Sequence, residues 1–199
     1  MPSKKTSKTD KSDFPVMEFP LSKNWNQWLS RNHSSLNGVW LKFHKKHTGV
    51  KSMTHAEALE EALCYGWIDG QAKPFDSNSW LQKFTPRRSR SIWSKKNTAH
   101  VMRLIEEKRM QPAGLKQIEA AKADGRWQKA YDSQATMSVP GDFLKLLNKN
   151  KKAKLFFESL NKTNKYAISW RLQTAKKPET KEKRMKAILE MLGREEKFH

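Results

Sequence analysis

The sequence has one cysteine, few acidic residues and no long apolar run, and each shortage excludes a class of protein. A single cysteine, Cys64, rules out an intramolecular disulfide framework and favours a reducing compartment. The longest apolar stretches are a few residues long, whereas a helix needs roughly 20 to span a bilayer. The N-terminal segment lacks the apolar core of a secretory signal, so we expect the protein to be cytoplasmic.

Basic residues outnumber acidic residues two to one. The 199 residues include 40 Lys and Arg against 20 Asp and Glu, which gives a formal net charge of +20 at pH 7. The excess is distributed along the chain and is not confined to one tail. Such a field attracts polyanions, including nucleic acid, anionic lipid and phosphorylated ligands. The alternative interpretation is a lysine-rich surface that only maintains solubility.

The common catalytic and cofactor-binding motifs are missing as well. The sequence contains no Walker loop, no G-x-S-x-G elbow and no zinc-finger spacing. His44 and His47, with His55 nearby, suggest a metal site, but Lys45 and Lys46 stand between the first two and repel a cation. We therefore predict no metal and no cofactor, and favour a binding protein over an enzyme.

The apolar pattern predicts an α+β fold. After a disordered basic tail at 1–13, we expect an α+β domain over 14–132 that contains a small antiparallel sheet with helices. A capping box, Thr54-x-x-Glu57, begins one of these helices. The expected strands lie at 16–19, 39–44, 67–73 and 79–85.

The last part of the chain predicts a C-terminal all-helical module over 138–195. Apolar residues recur there at intervals of three or four, with polar residues between them. Pro178 fits the first turn of the last helix, where its missing N–H costs nothing. Lysines including Lys181 crowd that helix start against the preference of the helix dipole. Either acids of the N-terminal domain pack against them or an anion binds there, and we favour the anion. The residues expected to face the interior are Phe143, Leu147, Phe156, Phe157, Trp170, Ile188 and Leu192.

One segment concentrates positive charge together with aromatic residues. The stretch between Asp76 and Glu106 holds seven cations and no acid. Arginines form forked contacts to phosphate, aromatic rings stack on bases, and Ser94 at a helix start adds backbone N–H groups. The predicted ligand-binding residues are Arg87, Arg88, Arg90, Trp93, Ser94, Lys95 and Asn97. The alternative is that the aromatics are core and the arginines pair with carboxylates such as Asp69 and Glu61.

Several motifs occur in a characteristic order. They are Cys64-Tyr65-Gly66-Trp67-Ile68-Asp69-Gly70, Pro86-Arg87-Arg88, Ser91-x-Trp93-Ser94-x-x-Asn97, Ala121-Lys122-x-x-Gly125-x-Trp127, Val139-Pro140 and Ala175-Lys176-x-Pro178-Glu179-Thr180-x-x-x-Arg184. Together they resemble the YdeI/OmpD-associated family, called bacteriocin-protection proteins. The resemblance covers nearly the whole chain outside residues 1–13. The sequence departs from the family pattern at Lys181, where Arg is common. Lysine keeps the positive charge but cannot make the bidentate contact of a guanidinium group.

The resemblance implies protection against bacteriocins or cationic antimicrobial peptides, a stress-resistance role, and association with an envelope protein. It carries no catalytic residues over to this chain. Three functions stay open from the sequence. The first is binding of a polyanionic or phosphate-bearing ligand, such as nucleic acid or an anionic envelope component. The others are an enzyme acting on a phosphorylated or nucleotide-like molecule, with Asp69 as base, and a module that binds a protein partner.

Overall fold

The structure, a computed structural model, describes residues 14–133 and 136–199. The tail predicted at 1–13 lies outside them. Within the described residues the fold is α+β, as the sequence predicts. The elements in chain order are β1 (Val16–Met17), α1 (Ser22–Asn32), β2 (Val39–His44), a 3-10 turn (Lys46–Thr48), α2 (His55–Cys64), β3 (Trp67–Pro74), β4 (Ser79–Pro86), α3 (Lys95–Glu106), α4 (Pro112–Ala123), α5 (Gly141–Asn148), α6 (Lys151–Ser159), α7 (Lys162–Gln173) and α8 (Pro178–Gly193).

The four strands form one sheet in the order β1-β2-β4-β3. β4 pairs antiparallel with both β2 and β3, as predicted. The short strand β1 instead runs parallel to β2, with Val16 opposite Trp40. Parallel neighbours need a crossover connection, and α1 provides it between β1 and β2. The β3–β4 ladder shifts register between Asp69 and Ala72, so β3 contains an irregularity of the β-bulge type.

Side-chain contacts distinguish the two faces of the sheet. The inner face packs on α1 and α2, because Trp25 and His55 both place their rings about 6 Å from the ring of Phe84. The capping box begins α2 as predicted: the Thr54 N–H donates to the Glu57 carboxylate (2.7 Å). Side chains alternate along a strand. The opposite, outer face therefore carries Trp40, Lys42, His44, Ile68, Lys73, Leu81, Lys83 and Thr85.

The chain divides into two compact units. The first contains the residues up to Ser91 together with Val101–Ala120, and the second contains Ile92–His100 together with Ala121–His199. The domain limits at 14–132 and 138–195 stay predictions. None of the helices in 14–133 and 136–199 has both the length and the apolar character needed to cross a membrane.

The helices of the C-terminal half surround their own apolar core, and α8 begins at Pro178 as predicted. Most of the residues expected to face the interior are buried; Phe156 and Trp170 are partly buried. The buried members of this core are Phe143, Leu147, Ala153, Phe157, Leu160, Ile168, Leu172, Met185, Ile188 and Leu192. The three- and four-residue spacing thus identified the packing faces of these helices.

Candidate functional site

A groove of about 750 Å³ lies at one end of the outer face of the sheet, within the first unit. It brings together two of the arginines predicted from the sequence with a lysine of β4. We call it the basic groove. Its lining residues are Phe14, Asn37, Ile68, Gly70, Gln71, Lys83, Thr85, Pro86, Arg87, Arg88 and Ser91.

Backbone hydrogen bonds hold the arginine-bearing loop that follows β4. The N–H of Arg87 donates to the carbonyl of Gly66 (2.9 Å), which ties the loop to the start of β3. The N–H of Arg88 donates to the Ser91 hydroxyl (3.1 Å), and the N–H of Ser91 donates back to the carbonyl of Arg88 (2.9 Å). These hydrogen bonds hold the backbone of both arginines in place at the groove.

A glycine permits the aromatic wall of the groove. A Cβ on Gly38 would lie 2.9 Å from the Thr85 methyl group and 3.0 Å from the ring of Phe14, too close for either to stay in place. Phe14 can therefore pack at the end of the sheet. The Lys83 ammonium lies 4.5 Å from the centre of its ring, a distance typical of a cation–π contact.

The groove carries positive charge without acidic residues in its lining. Arg87 is only 5% exposed, so it forms part of the wall, whereas Arg88 and the nearby Arg90 are exposed. In the described part of the chain, no carboxylate forms an ion pair with Lys83, Arg88 or Arg90. Such a concentration of cations favours an anionic ligand.

Asp69, the base of the enzyme hypothesis, faces away from this groove. Its neighbours Ile68 and Gly70 line the groove, and alternation along β3 turns Asp69 to the inner face. There its Oδ2 atom lies 3.2 Å from Nε2 of His55. The structure does not bring Asp69 together with the arginines in the basic groove.

The remaining predicted ligand residues belong to the second unit. Trp93 is 2% exposed and packs 5.1 Å from Trp127, centre to centre, so it is part of the interior. The Ser94 hydroxyl accepts a hydrogen bond from the N–H of Asn97 (3.1 Å) and so caps the start of α3. These contacts are structural, and ligand binding by Trp93, Ser94 and Asn97 stays a prediction.

Lys95 forms an ion pair within the same unit. Its Nζ atom lies 2.7 Å from Oδ1 of Asp132, and this hydrogen bond holds the pKa of Asp132 below its ordinary value. Gln173 donates a second hydrogen bond to the Asp132 carboxylate (3.2 Å). The charge of Lys95 thus has a partner in the protein, and a ligand contact for Lys95 also stays a prediction.

Structural ion pairs, the alternative interpretation, occur elsewhere in the first unit. Glu61 contacts Arg109 (2.7 Å), and Glu60 contacts both Arg103 and Arg109. Glu107 also contacts both arginines. Arg103 of the basic segment is therefore part of a structural charge network, and Glu61 pairs with Arg109.

Two of the three histidines considered for metal binding, His44 and His55, have carboxylate partners. His44 lies 2.7 Å from Glu18 through its Nε2 atom, and His55 contacts Asp69. Across residues 14–133 and 136–199, no three His, Cys, Asp or Glu side chains lie together as potential metal ligands.

The lysine-rich start of α8 was predicted to attract an anion. There Lys181 contacts the carboxylate of Asp142, and this hydrogen bond holds the pKa of Asp142 below its ordinary value. Both residues lie in the helical C-terminal half. One of the crowded lysines is thus compensated by an acid of its own module.

Some groove residues were not predicted from the sequence. Phe14 and Asn37 are far from the basic segment in the chain, and Gln71 lies on the preceding strand; all three reach the arginines through strand pairing and the irregularity in β3. The Asn37-Gly38 pair was a turn signal, but a turn signal does not show that the turn lies beside β4.

Two family models match the chain. Residues 17–117 match the one described as Domain of unknown function (DUF8412), which spans just over half of the chain. The chain belongs to the DUF8412 family. Residues 136–195 match the model described as Bacteriocin-protection, YdeI or OmpD-Associated. This confirms the resemblance for the C-terminal module, whereas the motifs before residue 136 lie outside that match.

The basic groove falls almost entirely within the DUF8412 region, since Arg87, Arg88 and Lys83 all lie there. The match to the Bacteriocin-protection, YdeI or OmpD-Associated model covers the helical C-terminal module instead. No curated protein and no solved structure matches the chain. The site must therefore be interpreted from its own chemistry.

Proposed function

We propose that this protein is a non-enzymatic binder of a polyanionic, phosphate-bearing ligand, and that the basic groove is its binding site. The observation that carries the proposal is the convergence of Lys83, Arg87 and Arg88 around one groove whose lining has no acidic residue. Guanidinium groups match the geometry of phosphate oxygens and donate charge-assisted hydrogen bonds to them.

The placement of Asp69 supports binding over catalysis. A general base must be within hydrogen-bond reach of the proton that it abstracts. A ligand held by Arg88 lies on the outer face, whereas the Asp69 carboxylate is engaged with His55 on the inner face. The enzyme alternative thus has its base and its phosphate contacts on opposite sides of the sheet.

The match of residues 136–195 connects the proposal to protection against bacteriocins. A chain with a net charge of +20 repels cationic peptides, so capture of such peptides by charge is disfavoured. We propose that protection operates through competition for a shared anionic target. The charge that repels the peptide attracts that target.

Binding of long-chain inorganic polyphosphate tests the proposal, because this polymer has phosphates but neither bases nor acyl chains. The test variant combines Arg88→Gln and Arg90→Gln, both exposed, and leaves the buried Arg87 in place. The matched control combines Arg31→Gln and Lys51→Gln, which remove the same charge from exposed positions outside the groove. We expect the test variant to bind about tenfold or more weakly than wild type. Equal affinity of the two variants would contradict the groove as the site.

A further inference from the structure

Lysines and aromatic rings cover the outer face of the sheet next to the basic groove. The Lys73 ammonium lies 4.3 Å from the centre of the Trp40 ring, and Lys42 lies 5.8 Å from the centre of the Phe75 ring. Lys83 lies over Phe14, as described above, and 5.8 Å from Trp40. We call this surface the lysine–aromatic face; its residues are Phe14, Trp40, Lys42, Lys73, Phe75 and Lys83.

Strand register sets the cations in a continuous band. Lys42 and Lys73 are both paired with Leu81, one on each side, so the three side chains form a row across β2, β4 and β3. Lys83 stands two residues further along β4, about 7 Å away. It also lines the basic groove, where Arg88 follows. The band is thus several residues long, which suits a polymer better than a single phosphate group.

A carboxylate compensates the charge of the band at the Lys42 end. Glu18 contacts Lys42 (3.1 Å) and His44 at the end far from the groove. Among the residues that the structure describes, no carboxylate pairs with Lys73 or Lys83. The uncompensated part of the lysine–aromatic face therefore adjoins the groove.

Phe75 distinguishes this face from a surface that is merely basic. Phe75 is 53% exposed directly after β3, although a phenylalanine gains stability from burial. Exposed rings beside cations are the arrangement with which proteins bind unpaired bases, because each base offers a flat face for stacking. The bases of a duplex are stacked on one another and do not present that face.

We infer that the lysine–aromatic face binds single-stranded nucleic acid. Phosphates contact Lys73, Lys83 and Arg88, and one base stacks on Phe75. This rests on the proposed function, since the strand enters the same basic groove, and it names the class of ligand. An anionic membrane suits the face less well, because Phe75 is the one strongly exposed apolar side chain among its six residues.

The test compares four probes by competition: oligothymidylate, a duplex of the same length, inorganic polyphosphate, and vesicles of phosphatidylglycerol. Phe75→Ala removes the exposed ring, and Phe75→Trp is the conservative variant that retains stacking. Leu155→Ala is the matched control, because Leu155 is a large apolar residue that is 69% exposed in the other unit. Lys73→Gln is matched in the same way by Lys116→Gln, an exposed lysine outside the face.

We expect wild type to prefer oligothymidylate to the duplex and to vesicles. Phe75→Ala should weaken oligothymidylate binding about tenfold and leave polyphosphate binding unchanged, and Phe75→Trp should restore it. Lys73→Gln should weaken the binding of both oligothymidylate and polyphosphate. The controls Leu155→Ala and Lys116→Gln should leave the affinity for both ligands unchanged.

Two results overturn the inference. If Phe75→Ala does not change the affinity for oligothymidylate, or if the duplex or the vesicles bind best, the ligand is not a single strand. In that case the proposed function still stands if the variant with Arg88→Gln and Arg90→Gln loses polyphosphate binding. If no probe binds wild type, the inference and the proposed function both fail.

Discussion

The carboxylate of Asp69 lies 3.2 Å from Nε2 of His55, on the face of β3 opposite the basic groove. The ring of His55 packs against Phe43, Trp80 and Phe84, so this half-buried pair lies against the apolar side chains between the sheet and α2. A carboxylate in this position stabilises the inner layer and does not reach a ligand in the groove.

Asp69→Asn should therefore leave anion binding unchanged. The amide is nearly isosteric and retains a hydrogen bond to His55, so we expect the free energy of unfolding to fall by no more than about 1 kcal/mol. Polyphosphate titration and urea denaturation measure the two quantities. A folded Asp69→Asn protein that no longer binds polyphosphate would restore Asp69 to the site.

Trp67→Ala should be severely destabilising. Trp67 is 1% exposed at the start of β3, and its indole N–H donates to the carbonyl of His33 (3.0 Å). Removal of a buried indole leaves a large cavity, so we expect a loss of about 3–5 kcal/mol in the free energy of unfolding. Phe75→Ala, at an exposed ring, should change it by less than about 0.5 kcal/mol. A Trp67→Ala protein of near wild-type stability that fails only in ligand binding would assign Trp67 to the site.

Gly114→Ala should destabilise the protein although alanine favours helices. A Cβ at this position of α4 would overlap the carbonyl oxygen of Cys64 and lie 2.8 Å from that of Leu63. We expect a loss of about 1–3 kcal/mol, since backbone atoms must move apart. Gly141→Ala is the control because a Cβ there meets nothing within 4 Å. Thermal denaturation measures the effect. A melting temperature of Gly114→Ala at or above that of wild type would rule out the close approach of α4 and α2.

Lys95→Gln should lower stability in a pH-dependent way. The hydrogen bond from Lys95 lowers the pKa of Asp132 in the folded state. The stabilisation is therefore present above the unfolded pKa of about 3.9 and is lost as the pH falls through the lower folded value. Because Lys95 is largely exposed, we expect less than about 1 kcal/mol at pH 7.

The control for that variant is Lys96→Gln, an exposed neighbour. Denaturant midpoints measured from neutral to acidic pH should show a gap between Lys95→Gln and wild type that closes in acid. A gap that persists or grows as Asp132 becomes protonated would show that the ion pair is not its cause.

Local sequence signals predicted much of this fold correctly. Thr54 and Glu57 form the predicted capping box, and α8 begins at Pro178, because both signals depend on residues within one helical turn. The spacing of Phe143 and Leu147 likewise identified a buried helix face. Such features need no knowledge of what lies elsewhere in the chain.

The candidate site was less predictable because its parts are distant in the chain. The basic segment identified Arg87 and Arg88, but Phe14 and Gln71 join them only through the sheet. Charge density alone did not reveal that Arg87 is buried or that Trp93 is interior. The alternation along β3 that separates Asp69 from the arginines became clear only with the register of β3 on β4.

The salt dependence of polyphosphate binding is the sharpest test of whether the basic groove binds phosphate. Each phosphate contact releases condensed counterions, so the logarithm of the association constant falls linearly with the logarithm of salt concentration. For the variant with Arg88→Gln and Arg90→Gln, we predict weaker binding and a slope reduced by about one for each arginine that contacts phosphate. The control with Arg31→Gln and Lys51→Gln should keep the wild-type slope. If the two variants show the same slope, the basic groove does not bind the phosphates and the account is wrong.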